Sequence, residues 1–300
     1  MAFVDPTRAL ASFTEYKTGV EPVLADADVR NKVGAVANDL QVQNCIQFLD
    51  DVARLLECAI ALSYDHQCHA SMLSLAIQYQ TLVDAFCRAS STHLQTSMEA
   101  LKHFKLTFFS LRKHEIDDAR SLLAALPSLA ARSEGMNSSL LDQVTDFLRD
   151  VNARLQVVNA AINAVMRDMV LAKREDRAAH EYAVMSLERT MKVLGIMKAK
   201  LENVRCYVAM SKDRCCTMAE PNTGLKTGLQ LATSQRPDMV VKAMTQDWYE
   251  WLALAKTNDA SVRGMDGVRT AMHRILSTLP TAAPASDRLA KLMQHLQSGH

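Results

Sequence analysis

Between Ala35 and Leu126 the chain holds neither glycine nor proline, and from Met136 to Leu194 it again holds neither. These residues open turns and end helices, so two such stretches leave few places where the backbone can stop being helical. The chain must be dominated by long α-helices. Composition agrees: aromatic residues make up only 5% and the apolar half of the sequence leans on Ala, Leu, Val and Met. Side chains of that kind lose little on entering a helix, whereas the β-branched and aromatic residues that fill sheets are thin.

Helix-spaced apolar positions then locate the packing faces. Val42, Ile46, Leu49, Ala53, Leu56 and Ile60 alternate four and three apart, and after a polar stretch from Ser63 to Ser71 the stripe resumes at Met72, Leu75, Tyr79, Leu82 and Phe86. That change of frame predicts a kink or a change of partner near His66. The helix then runs on through Leu94, Met98, Leu101, Phe104 and Phe108 toward Lys113. Left straight, the stretch from Asp28, where Asp26 or Asp28 can cap the start, would reach on the order of 130 Å at 1.5 Å per residue.

A second arm carries the cleanest repeat: Val144, Leu148, Val151, Leu155, Val158, Ile162 and Val165, continuing to Met169 and Ala172. Ser138 or Ser139 can cap it. A seven-residue repeat held this long predicts a supercoiled partner helix. Charge at Lys173–Arg177 interrupts the stripe, which returns on a shifted frame at Val184, Leu187, Met191, Leu194 and Leu201 and persists to about Ala219. The expected fold is therefore all-α, an elongated antiparallel bundle of long helices with coiled-coil-like packing, read as one body over 1–300. An inter-arm tip at 114–137 joins the arms. A tryptophan-bearing tail at 221–300 includes a helix opened by Pro237-Asp238, a weakening at Gly264 and Gly267, a linker at Pro280–Pro284 and a last short helix from Ser286 to Gln297. Asp5-Pro6 is expected to open a first helix that ends near Thr18.

No arrangement in the sequence calls for catalysis. Asp65-His66-Gln67-Cys68-His69, with Cys58 upstream, could set two ligands on one helix face, but structural metal sites want four and no second cluster supplies them. A polar helical joint is the plainer reading. Cys215-Cys216 lacks the C-x-x-C spacing of redox pairs, and Gly224 with Gly228 is not followed by the Lys-Ser/Thr of a phosphate loop. Seven cysteines, an odd number scattered through helical sequence, suggest a reducing compartment and small core residues rather than disulfides. No cofactor, metal, nucleic acid or small-molecule substrate is expected.

A formal charge of +1 gives no global field for anionic partners. The local group Lys102, His103, Lys105, Arg112, Lys113 and His114 is diluted by Glu99, Glu115, Asp117 and Asp118, so it reads as a solvated face. Met1 to Leu10 lacks the apolar core of a secretory signal, and no apolar run nears the ~20 residues of a membrane span. The chain is expected to be soluble in isolation, and cytoplasmic or released without a signal peptide. Leu122 to Ala131 is the most apolar piece between the arms, with Leu122, Leu123, Leu126 and Leu129 as candidate membrane-contact residues. Its ten residues are about half a bilayer span, which favours a short packed helix.

Two long helices joined by an apolar tip and closed by a helical tail resemble the α-helical pore-forming family of cytolysin A and alpha-xenorhabdolysin. The local text that carries the likeness is Leu187-Glu188-Arg189-Thr190-Met191-Lys192-Val193-Leu194-Gly195, then Lys198-Ala199-Lys200-Leu201-Glu202-Asn203-Val204, then Val241-Lys242-Ala243-Met244-Thr245-Gln246-Asp247-Trp248. The resemblance implies a non-enzymatic protein that meets a bilayer by helix rearrangement and self-assembly, with a lipid bilayer and further copies of the chain as partners. The alternative is a soluble scaffold whose seams bind partner helices.

Overall fold

The computed structural model of the chain describes residues 16–20, 23–39, 41–173, 175–219 and 237–278, and of 38, 39, 237–243 and 246 it describes the backbone alone. The expected start of the first helix at Asp5, the connector at 225–236, the linker at 280–284 and the last short helix at 286–297 lie outside the described residues. Among the described residues every regular element is helical, so the fold is an all-α helical bundle. After a single 3-10 turn at Val23–Ala25 come α1 (Ala27–Asp39), α2 (Val42–Leu62), α3 (His69–Arg112), α4 (Ile116–Ala124), α5 (Leu126–Leu171), α6 (Arg177–Ala219) and α7 (Pro237–Thr278).

The expected rod from Asp28 to Lys113 is broken twice, and in neither place by glycine or proline. Asp26 caps α1, its carboxylate accepting from the Asp28 and Val29 amides at 2.9 and 3.2 Å. α1 then stops before Gln41, which takes a left-handed φ of 45°. At the second break the polar stretch near His66 is a full reversal rather than a kink. The Ser63 hydroxyl turns back to the Ile60 carbonyl at 3.1 Å, and successive turn bonds from His66 to Ser63 and from His69 to His66 carry the chain around. α2 therefore lies antiparallel on α3, and the Tyr79 hydroxyl donates to the Leu49 carbonyl at 2.5 Å across the pair. The same happens at the charged stretch after Ala172, where a turn closed by Asp176 N–H to the Lys173 carbonyl at 3.0 Å sends α6 back along the chain. Solvated joints reverse the helices because a rod cannot bury its own stripe.

The end of α3 is a Schellman closure. The Glu115 amide reaches the Ser110 carbonyl at 2.9 Å and the His114 amide reaches the Leu111 carbonyl at 3.2 Å, with His114 at φ 62° in the position usually held by glycine. The second long helix begins at Leu126, not at Ser138 or Ser139. Pro127 falls in its first turn, where the missing N–H is tolerated, and Gly135 is carried inside the helix. Likewise α7 passes through Gly264 and Gly267 unbroken to Thr278.

Contacts gather the described residues into two compact units. One draws on the described residues up to Asn44, on Phe86–Leu141 and on those between Cys206 and Gly264, the other on Cys45–Ala85, the described residues between Asp142 and Arg205 and those from Met265 onward, so α3, α5, α6 and α7 each give a stretch to both. In the first unit Leu94, Phe104 and Leu111 of α3 are buried together with Leu123, Leu126 and Ala130, and with Val208, Met244 and Leu252. Ser90 and Ser97 of α3 meet Ser261 and Asn258 of α7, at 2.7 and 3.1 Å, which fixes those helices as antiparallel.

In the second unit Leu49 and Leu56 of α2, Met72, Leu75 and Tyr79 of α3, Val144, Val151 and Val158 of α5, and Leu187, Leu194 and Leu201 of α6 are all buried. Tyr79 stands against Phe147 with ring centroids 5.4 Å apart. Lys200 reaches Asp51 at 3.2 Å with its ammonium over the Phe48 ring, and the Ser186 hydroxyl takes the last α2 carbonyl, Leu62, at 2.6 Å. Of the heptad positions on α5, Val144, Leu148, Val151, Val158 and Ile162 are buried, whereas Leu155 and Val165 keep part of their surface in water.

Two outcomes follow from this packing. Val151→Asp buries an unpaired charge and should cost about 4 kcal/mol, while Leu155→Asp should cost roughly half as much, measured as shifts of the urea unfolding midpoint. His114→Gly should raise stability by about 1 kcal/mol, since glycine adopts the left-handed position without the Cβ penalty, and the same titration reads it.

Candidate functional site

The described part of the first unit contains a groove of about 820 Å³. One wall is the last part of α3, where Met98, Leu101, Leu106, Phe108 and Phe109 supply the apolar surface and Lys102, Lys105 and Arg112 the charge. Facing them are Thr18, Gly19, Val20 and Val23 from the start of the chain, and Trp248 and Leu252 from α7. Leu101, Val20 and Leu252 are buried at its base. Trp248 stands edge-on to Phe108, with ring centroids 6.5 Å apart and planes at 82°, so the indole forms a wall of the groove.

The rim is unusual for a helix surface. Phe109 is 55% exposed and Leu106 42%, both beside exposed lysines and arginine. The Lys113 ammonium sits 4.4 Å over the Phe109 ring. Among the described lining residues none is acidic, and no described carboxylate lies within ion-pair distance of Lys102, Lys105 or Arg112. Of the acids that flank this stretch in the sequence, Glu99 is turned to Arg132 at 3.8 Å and Asp117 to Arg120 at 3.1 Å. Two of the four acids expected to dilute the basic group are thus engaged by other arginines. Spacing carried the signal, since Lys102, Lys105 and Arg112 recur at three and seven and share a face with Leu106 and Phe109. What the sequence does not give is Trp248 opposite them.

The candidate contact residues at 122–129 lie elsewhere. Leu123, Leu126 and Leu129 are in the core, and Leu122 is half-buried. Among the described residues the most exposed large apolar side chains are at the turn between α5 and α6, with Leu171 87% and Val170 75% exposed and Met166, Tyr182 and Met185 nearby in the chain. Among the described residues no helix is long and apolar enough to cross a membrane, and no three His, Cys, Asp or Glu side chains are grouped to hold a metal ion. Asp65–His69 forms the α2–α3 turn, with His69 edge-on to Tyr64.

Deeper in the same unit a polar network ties four helices. His93 of α3 donates from Nε2 to the Asn137 Oδ1 of α5 at 3.1 Å, and the Asn137 amide donates to Ser211 Oγ at 3.1 Å and Cys215 Sγ at 3.6 Å on α6. Ser97 Oγ closes onto the His93 carbonyl at 2.8 Å and receives Asn258 Nδ2 of α7 at 3.1 Å. Burial lowers the His93 pKa to about 4 against a partial opposing effect of the Asn137 bond, and burial raises the Cys215 thiol to about 11. The thiol is therefore held protonated and inert at neutral pH. Cys45 and Cys58 are buried as well, while Cys206 and Cys216 are exposed.

Neutral His93 makes this unit acid-sensitive. The unfolded chain takes up a proton below the ordinary histidine value of about 6.5 and the folded one only near 4, so stability is full above 6.5 and falls as pH drops through that window, by at most about 3 kcal/mol. His93→Gln should flatten the pH dependence of the thermal midpoint between pH 6.5 and 4. In comparison with known proteins, the chain matches no family model, no curated protein and no solved structure.

Proposed function

We propose that this is a non-enzymatic, membrane-interacting helical protein that meets the surface of a bilayer with the basic and apolar face at the end of α3. One observation carries the reading: Leu106 and Phe109 stand exposed among Lys102, Lys105, Arg112 and Lys113. Apolar side chains that enter the acyl boundary, ringed by cations whose stems run along it and whose heads meet lipid phosphates, are the arrangement of helices lying in a membrane interface. This contact needs no rearrangement. Leu123, Leu126 and Leu129 would join it only after the helices part, which fits the opening and assembly at a bilayer implied by the cytolysin A resemblance.

A second reading, a scaffold that binds partner helices, draws on Val170 and Leu171 at the α5–α6 turn. Exposed apolar residues of that size, set among charges of both signs, suit a protein contact.

Co-sedimentation with vesicles separates the two. Binding is expected to phosphatidylglycerol–phosphatidylcholine vesicles and much less to phosphatidylcholine alone, and it should weaken in high salt. Lys102→Gln with Lys105→Gln should cost about 2 kcal/mol, roughly thirtyfold, at about 1 kcal/mol per cation near an anionic surface. Leu106→Asp with Phe109→Asp should abolish binding while leaving the helical circular dichroism intact, because both side chains are exposed. Absence of sedimentation with either lipid, or full binding by the double aspartate variant, overturns the reading. Changes at Leu126 are a poor test, since that residue is in the core.

A further inference from the structure

We infer that the interior of the α3–α7 groove is a binding site for one molecule of a long-chain carboxylate, with the tail along Leu101, Leu252 and Trp248 and the head at Lys102, Lys105 and Arg112. The inference deepens the membrane reading by giving the same surface a discrete lipid ligand, and rests on that reading for its biological setting. Both draw on Lys102, Lys105 and Arg112; the bilayer contact adds the exposed surfaces of Leu106 and Phe109, and the ligand site adds the buried floor at Val20, Leu101 and Leu252.

Size comes first. At about 820 Å³ the groove falls within the range of about 300–1,000 Å³ that holds small-molecule ligands. Along α3 it runs from Met98 to Arg112, about 21 Å at 1.5 Å per residue, so it is long as well as roomy.

Chemistry decides the rest. The floor offers the tail Leu101 and Leu252, with Trp248 in the wall beside them. Three cations stand at the edge with no described carboxylate within ion-pair distance. A neutral lipid brings no charge to meet those cations, and a free anion such as phosphate would leave the apolar floor wet. A single-chain anion with a long tail satisfies both. Lys102 and Lys105 lie one turn apart on α3, so their ammonium groups can converge on one compact head.

The test is a titration of the full chain with oleate below the concentration at which it forms micelles, without vesicles, read by tryptophan fluorescence and by calorimetry. Expected is saturable binding of one oleate per chain. Oleyl alcohol, with the same tail and no charge, should bind at least about tenfold more weakly, and so should Lys102→Gln with Lys105→Gln, the size of effect expected when a hydrogen bond to a charged group is lost. Trp248→Phe should remove most of the fluorescence change while calorimetry still reports binding. Gly19→Phe, whose new side chain starts in open space beside the groove, should block the site without altering the fold. No saturable binding of oleate, equal binding of oleyl alcohol, or unchanged affinity in Gly19→Phe overturns the inference. If oleate binding is absent while the Leu106 and Phe109 face still carries the protein onto anionic vesicles, this inference fails and the membrane reading stands. The reverse pattern removes the bilayer contact and keeps the ligand site.

Discussion

The core of the second unit depends on two solvated joints that turn its helices around. An apolar stripe on a helix gains nothing until a second stripe faces it, and burial is worth about 25 cal/mol per Å² of apolar surface. A rod running from Asp28 to Lys113 would have left its stripe waiting for a partner from elsewhere. The turn from Ser63 to Cys68 and the turn after Ala172 supply partners from the chain itself, placing Tyr79 against Leu49 and Ser186 against Leu62. The residues that make these joints are polar or charged because their backbone groups must be met by side chains and water where the helical ladder stops.

Hydrophobic stripes bring helices together but leave their register loose, since leucine on leucine slides at small cost. Polar ties resist sliding. The chain from Asn258 through Ser97, His93 and Asn137 to Ser211 and Cys215 joins α3, α5, α6 and α7, and a one-turn shift of any of them would leave a buried donor or acceptor unmet. In the second unit Tyr79, Ser186, the Lys200–Asp51 pair and the Gln80–His273 contact at 3.3 Å are such ties.

Much of the helical content was legible in the sequence, and the reason is local. Apolar spacing places Met72, Leu75, Tyr79, Leu82 and Phe86 in the core, and all five are buried. The end of α6 at Ala219 and the cap at Asp26 were equally readable. Breaks were harder. Gln41 and His114 hold left-handed backbone without being glycine, so a rule that looks for glycine and proline passes over both. Conversely Pro127, Gly135, Gly264 and Gly267 look like punctuation and are carried inside helices. The groove was legible by halves: the basic and apolar spacing on α3 is visible, but the indole opposite it comes from a residue more than a hundred positions away, and no local pattern records that pairing.

The distribution of thiols gives the molecule its own gauge of opening. Cys206 and Cys216 stand in solvent on α6, while Cys215 is folded into the Asn137 network with its proton held tightly. Neighbours in sequence, Cys215 and Cys216 share a helix yet differ in reach, so the lag between alkylation of one and of the other measures how often the four helices part. A membrane that pries this bundle apart would write its effect there first, in chemistry that mass spectrometry can count.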